Sequence, residues 1–288
     1  MTKKFILNAD DFGMSKAVNR AVLEGYENGI LKSISIAANG SFFKEACEIL
    51  PKLEGVDAGV HLNLTSGKAL CGDLDRLCDE NGNLNNSFFK LLIKAYNRKD
   101  EEFLRQAERE FRRQIETVMS KIKVSHIDSH SHIHAIPPLF ELTCRLAKEY
   151  GIKQVRTHFE KPYFVPDIFR HLNGNYFKNL FRVLYLNFFS ILNENTIQKY
   201  QLNTNDYMIG ILYSSKMDAI AISYGLRPLN YENITVECLI HPGRYDDGTI
   251  DNHFDEYMIT RNKKLKGKIE SLGYAITNYA EEDEKEEA

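Results

Sequence analysis

Histidine or aspartate stands at every even position of the run His126-Ile127-Asp128-Ser129-His130-Ser131-His132-Ile133-His134. Side chains of an extended chain repeat every two residues, so these groups project to one side for as long as the strand continues. Four imidazoles and a carboxylate gathered there are costly to desolvate without partners, and a shared cation supplies one. Neutral imidazoles with a carboxylate suit Zn2+, Co2+, Mn2+ or Mg2+. Two histidines and one carboxylate would leave positions open for water and substrate, which is the arrangement of catalysis rather than of structural support. The alternative is a polar strand end that is internally hydrogen-bonded.

Three other stretches carry the same residue types. Asp10-Asp11-Phe12-Gly13 follows the apolar run FILN, and both acids can enter one site only if the chain bends, for which Gly13 is the expected pivot. Taken alone, the pair could equally cap a following helix near Ser15. His61 sits within Gly59-Val60-His61-Leu62-Asn63-Leu64, where an isolated histidine would read as a hydrogen-bonded core residue. Glu237-Cys238-Leu239-Ile240-His241-Pro242-Gly243 delivers another histidine to a Pro-Gly turn.

The elements needed to bring these stretches together are legible as alternating strands and helices. Strands are expected at Phe5 to Asn8, Ser33 to Ala37, Ala58 to Leu64, Val124 to Ser129, Gln154 to Thr157, Tyr207 to Leu212, Thr235 to Ile240 and Ala275 to Asn278. Helices are expected at Lys16 to Asn28, Ser41 to Leu50 and Glu101 to Lys121, the last with Phe103, Leu104, Ala107, Phe111, Ile115, Val118 and Met119 on one face. Eight strands predict an α/β fold, a TIM-like (β/α) barrel, whose reactive residues belong at the carboxyl ends of the strands. Residues 1–280 form one domain in this reading. Excursions at 66–100 and 159–205 exceed plain crossovers and are read as substrate walls, and the aromatic-rich second one could also form a homodimer contact. Residues 281–288, with six acids and one lysine, are expected to be a disordered tail.

Composition narrows the rest. The 288 residues are 43% hydrophobic and 27% charged, and 37 basic residues against 40 acidic ones leave no basic field to hold nucleic acid or an anionic membrane. Five scattered cysteines without a CxxC pair suggest reduced thiols. The opening apolar run is shorter than the about 7 to 15 residues of a signal peptide. The segment Leu180 to Leu192 falls short of the roughly 20 residues of a membrane span. A cytoplasmic protein is expected.

The stretches NADDFGMS (8–15), GVHLNLT (59–65), HIDSHSHIHAIP (126–137) and LIHPG (239–243) resemble, in family order, those of the YdjC-like carbohydrate deacetylases, whose described members include chito-oligosaccharide deacetylases. That resemblance implies a distorted barrel of the glycoside hydrolase/deacetylase type. It further implies one divalent ion on Asp11, His61 and His130, with Mg2+ or Zn2+ foremost and Co2+ or Mn2+ compatible. Asp10 then corresponds to the general base and His241 to the general acid. Asp128 would orient a histidine, while His132, His134 and Arg156 would contact sugar hydroxyls or order the site. The 159–205 segment matches no family motif.

The implied reaction is hydrolysis of the acetyl group of an N-acetylated amino sugar or short oligosaccharide. Its rivals are another metal-dependent amidohydrolase or phosphoesterase on a TIM-like barrel, and a non-catalytic sugar-binding protein. Amidohydrolases and phosphoesterases usually carry HxH on the first strand, where this chain has Asp-Asp.

Overall fold

The computed structural model describes residues 3–166, 168–172 and 174–281. Apart from Glu281, the expected acidic tail lies outside them.

Eight strands fall where alternation and β-branched content place them, with ends moved by a few residues: β1 (Lys3–Phe12), β2 (Ser33–Ile36), β3 (Asp57–Leu62), β4 (His126–Ser129), β5 (Gln154–Val155), β6 (Tyr207–Ile209), β7 (Thr235–Ile240) and β8 (Tyr274–Ile276). All pairings among them are parallel, in the order β5-β4-β3-β2-β1-β7-β6. Connections run through helices α1 (Lys16–Gly25), α2 (Phe43–Ile49), α3 (Phe88–Ala95), α4 (Glu101–Met119), α5 (Pro137–Glu149), α6 (Ile168–His171), α7 (Tyr176–Tyr200), α8 (Ala219–Leu226), α9 (Asn252–Thr260) and α10 (Lys263–Ser271).

The expectation of a closed eight-stranded barrel needs correction. β7 occupies one edge of β1 from Lys4 to Ala9, so β8, paired with Lys3 to Phe5, must share the other edge with β2. The eighth strand therefore adds nothing to closure. The outer strands β5 and β6 are two and three residues long. Among the described residues the gap between them is spanned by a bridge from Gln154 to Asn203 and by the Met208 N–H donating to the Phe159 carbonyl at 2.9 Å. The result is a curled parallel sheet, a distorted and incomplete barrel.

α4 buries the expected face, with Phe103, Ala107, Phe111, Ile115 and Val118 shielded from water, whereas Met119 is exposed. The same helix also buries polar residues, because it anchors loops. Gln114 bonds both backbone groups of Asn63, and the Glu110 carboxylate accepts from the Leu70 and Cys71 N–H groups. The loop after β3 and the first excursion are thereby fixed against the barrel.

The second excursion is mostly α7, and asparagines dock it. Asn179 donates to the Ser214 carbonyl, Asn193 to the Ala135 carbonyl, and Asn187 exchanges two bonds of 2.9 Å with the Glu160 backbone. Asn187, which interrupts an apolar stretch in the sequence, is thus an attachment point. No helix among the described residues is long and apolar enough to cross a membrane.

Candidate metal centre and catalytic cleft

Gly13 takes the positive φ expected of it, +90°, but the chain already bends two residues earlier. Asp11 itself has a left-handed backbone, φ +67°, and the β1–β2 register shifts between Ala9 and Phe12. Aspartate tolerates this conformation better than most side chains, and the bulge lets Asp10 and Asp11 turn into one site. Neither acid caps α1; Ser15 does, accepting from the Val18 N–H.

Asp11 meets His61 from β3 and His130 from the turn that follows β4. Its Oδ1 lies 2.7 Å from His130 Nδ1 and 3.2 Å from His61 Nε2. One ligand atom from each of the three residues lies within 4.8 Å of the other two, the span of a single coordination sphere. The other ring nitrogen of His61 is held by Asp128 at 2.7 Å, which fixes the ring so that Nε2 faces Asp11. Burial disfavours a charged His61, but Asp128 and Asp11 outweigh it and lift the imidazole to about 10. Burial likewise opposes the Asp11 carboxylate, yet His130 and His61 hold it well below the usual range. With an N, N, O donor set gathered within one coordination sphere, the residues fit a divalent ion.

Beneath this trio lies a charged layer supplied by β1, β4, β7 and the loop after β5. Arg156 is wholly buried and grips both Asp10 oxygens, at 2.8 and 2.7 Å, while also reaching Asp128 at 2.6 Å and Glu237 at 2.5 Å. Asn8 donates to Asp10 and to Ser35, which donates to Asp128. Burial raises Glu237 to about 7 despite Arg156, and Tyr279 donates to its second oxygen. Asp10, His61 and Asp128 form a second close trio, but Arg156 is already paired with both of its acids. Complete burial removes Arg156 from contact with a sugar.

The strand ends at Ser129, the expected place, and with it the alternation. A 3-10 turn follows over His130–Ala135, with Ser131 and His132 both left-handed at φ +55° and +58°. His130 and His132 face the cleft. His134 instead bonds Ser129 and the Arg156 carbonyl, and burial lowers it to about 4. His126 packs on Tyr279 and bonds Ser125 in the interior. His132 lies 4.9 Å, ring to ring, from His158, a buried residue absent from the sequence reading.

His241 follows β7 and borders the same cleft. Its Nδ1 is 3.6 Å from Glu256, an ion-pair distance, and its backbone N–H donates to the same carboxylate. Burial disfavours the imidazolium, but Glu256 prevails and lifts it to about 9. The cleft, a cavity of about 390 Å³, is lined by Asp10, His130, His132 and His241 from the barrel and by Phe88, Phe89, Arg182 and Tyr185 from the two excursions.

Glu237, Glu256, Tyr279, Ser35 and His158 were the residues missed. Only Glu237 carried a signal, as an acid within an otherwise apolar buried strand.

The YdjC-like protein family matches residues 4–279, nearly the whole described chain. The chain belongs to the YdjC-like family. Among relatives of this YdjC-like chain, the carbohydrate deacetylase of Clostridium beijerinckii is 35% identical over 150 residues, covering 52% of this chain and 58% of that one. Carbohydrate deacetylase 1 of Listeria innocua is 37% identical over 172 residues, or 58% of this chain and 67% of the relative. The match thus spans little more than half of the Clostridium protein. In fold, the chain is similar to the crystal structure of a protein described as a cellobiose-phosphate cleavage protein of Enterococcus faecalis V583, with a TM-score of 0.74, 24% identity, and coverage of 98% and 99% of the two chains.

Proposed function

We propose that this YdjC-like chain is a metal-dependent hydrolase that removes the acetyl group of an N-acetylated amino sugar or short oligosaccharide. The observation that carries the reading is the Asp11, His61 and His130 cluster, which meets through His130 the cleft that Asp10 and His241 also line. The names of the relatives support the substrate class.

Asp11, His61 and His130 would hold the ion. Bound there, a divalent ion would supply Lewis acidity, polarising the acetamide carbonyl and making water a stronger acid. The remaining steps belong to side chains. Asp10 Oδ1 accepts from both Asn8 and Arg156, whereas Oδ2 accepts only from Arg156 among the described residues. Oδ2 therefore keeps a lone pair for the proton of the attacking water. Arg156 aims that carboxylate, and Asp128 holds the His61 tautomer. His241, kept protonated beside Glu256, gives its proton to the departing amine. Acetate and a free amino sugar result.

Acetate release from N-acetylglucosamine oligomers tests the proposal, with metal-stripped protein restored by Mg2+, Zn2+, Co2+ or Mn2+ in turn. Metal-restored turnover is the expected result. A bound ion with no turnover on any acetylated sugar would favour a sugar-binding protein instead.

A further inference from the structure

α7 is apolar on two opposite faces. Its inner face buries Val183, Leu186 and Phe189 against the barrel. Its outer face carries Phe177, Phe181, Leu184, Phe188 and Ile191, which recur every three or four residues and are 56 to 77% exposed. Their stripe is about 21 Å long at the rise of a helix. It continues onto α3 through Tyr185, whose ring lies 5.5 Å from Phe181 and 5.6 Å from Phe89, and Ile93 beyond is 72% exposed. Together these side chains leave on the order of 800 Å² of apolar surface in water, above the roughly 300 to 600 Å² of the largest patch on an ordinary monomer. A helix apolar all round is normally covered on all sides.

Charge selects the covering. The helices bearing the patch, α3 and α7, carry Lys90, Lys94, Lys178, Arg182 and Lys199 against Glu194, and α5, packed beside α7, adds Arg145 and Lys148 against Glu149 and Glu141, the last paired with Lys199, so the face keeps an excess of positive charge. The near balance of the whole chain, 37 basic to 40 acidic residues, averages this asymmetry away. A second copy of the same face would bring cations against cations. An anionic lipid surface takes both parts, with aromatic and aliphatic side chains entering the acyl boundary and lysines meeting headgroups. We propose that the α3–α7 face docks the protein on a bilayer bearing anionic headgroups.

Phe89 and Tyr185 belong to both this face and the cleft wall, so docking brings the cleft mouth to the headgroup level. If the site deacetylates amino sugars, a consequence that rests on that reading, its substrates are sugars carried on lipid.

Cosedimentation of the full chain with vesicles needs no turnover and so separates this proposal from the reaction. Binding is expected to phosphatidylcholine vesicles containing phosphatidylglycerol, and to weaken with salt and on pure phosphatidylcholine. Combining Phe177→Ser, Leu184→Ser, Phe188→Ser and Ile191→Ser, all exposed positions, should weaken it at least roughly tenfold, and Lys178→Glu should weaken it about fivefold. Should the combined variant not fold, the comparison of the two vesicle types and Lys178→Glu still decide. Equal absence of wild-type binding to both vesicles would overturn the proposal. So would a wild-type dimer that does not bind vesicles and that the serines dissociate, since a second copy would then cover the face.

Discussion

Both carboxylate oxygens of Asp10 are gripped by the Arg156 guanidinium at 2.7 and 2.8 Å, and Arg156 has no exposure to solvent. The fork is planar and bidentate, a geometry that a lysine cannot reproduce. It aims a carboxylate into the cleft from below, so under the proposed mechanism the arginine would act without touching substrate.

Arg156→Lys should retain one charge among three acids but lose the fork. The expected outcome is a fold that survives with a lowered melting temperature, unchanged metal stoichiometry, and kcat reduced about a hundredfold or more, since a misaimed base forfeits much of its contribution of roughly 10² to 10⁴. Arg156→Leu should cost roughly 3 to 5 kcal/mol by leaving buried carboxylates uncompensated. Denaturant unfolding distinguishes the two.

Asp10→Asn should keep the metal and lose about 10² to 10⁴ in kcat. Metal analysis and acetate release on the same preparation check this. Near-full activity would remove Asp10 from the mechanism.

Asp128→Asn should loosen the hold on His61. Affinity for the ion is expected to fall roughly 10- to 100-fold, as for other partners that orient a ligating imidazole. Calorimetric titration with Zn2+ measures it directly.

His241 acts as an acid only while protonated, so activity should persist on the low-pH side and decline as pH rises through about 9. Glu256→Gln removes the charge that raises it, and the alkaline limb of kcat/KM should move down toward about 6.5. An unmoved limb would assign the titration to another group.

Much of this arrangement was legible because strand chemistry is local. Asp10, His61, Asp128 and His241 stand in short apolar runs with turn signals after them, and the strands formed there. Closure was not legible, because the place of β8 depends on which edge of β1 is already taken. The end of β4 at Ser129 was legible, but the turn after it was not, since nothing in Ser131 or His132 signals two successive left-handed residues. Gly13 takes the positive φ expected of it, but the bulge adds a second left-handed residue at Asp11 that no local signal announces. The Arg156 network is a meeting of distant strands that no local pattern encodes. Glu256 is reached only because α9 folds back beneath His241.

Asp11, His61 and His130 are proposed to share one cation. Titrating metal-stripped protein with Co2+ and following its absorption tests it most directly, with His130→Ala and His61→Ala alongside. One equivalent bound by the wild type, and none by either variant while both stay folded, is the predicted result; undiminished binding by the folded variants would contradict it.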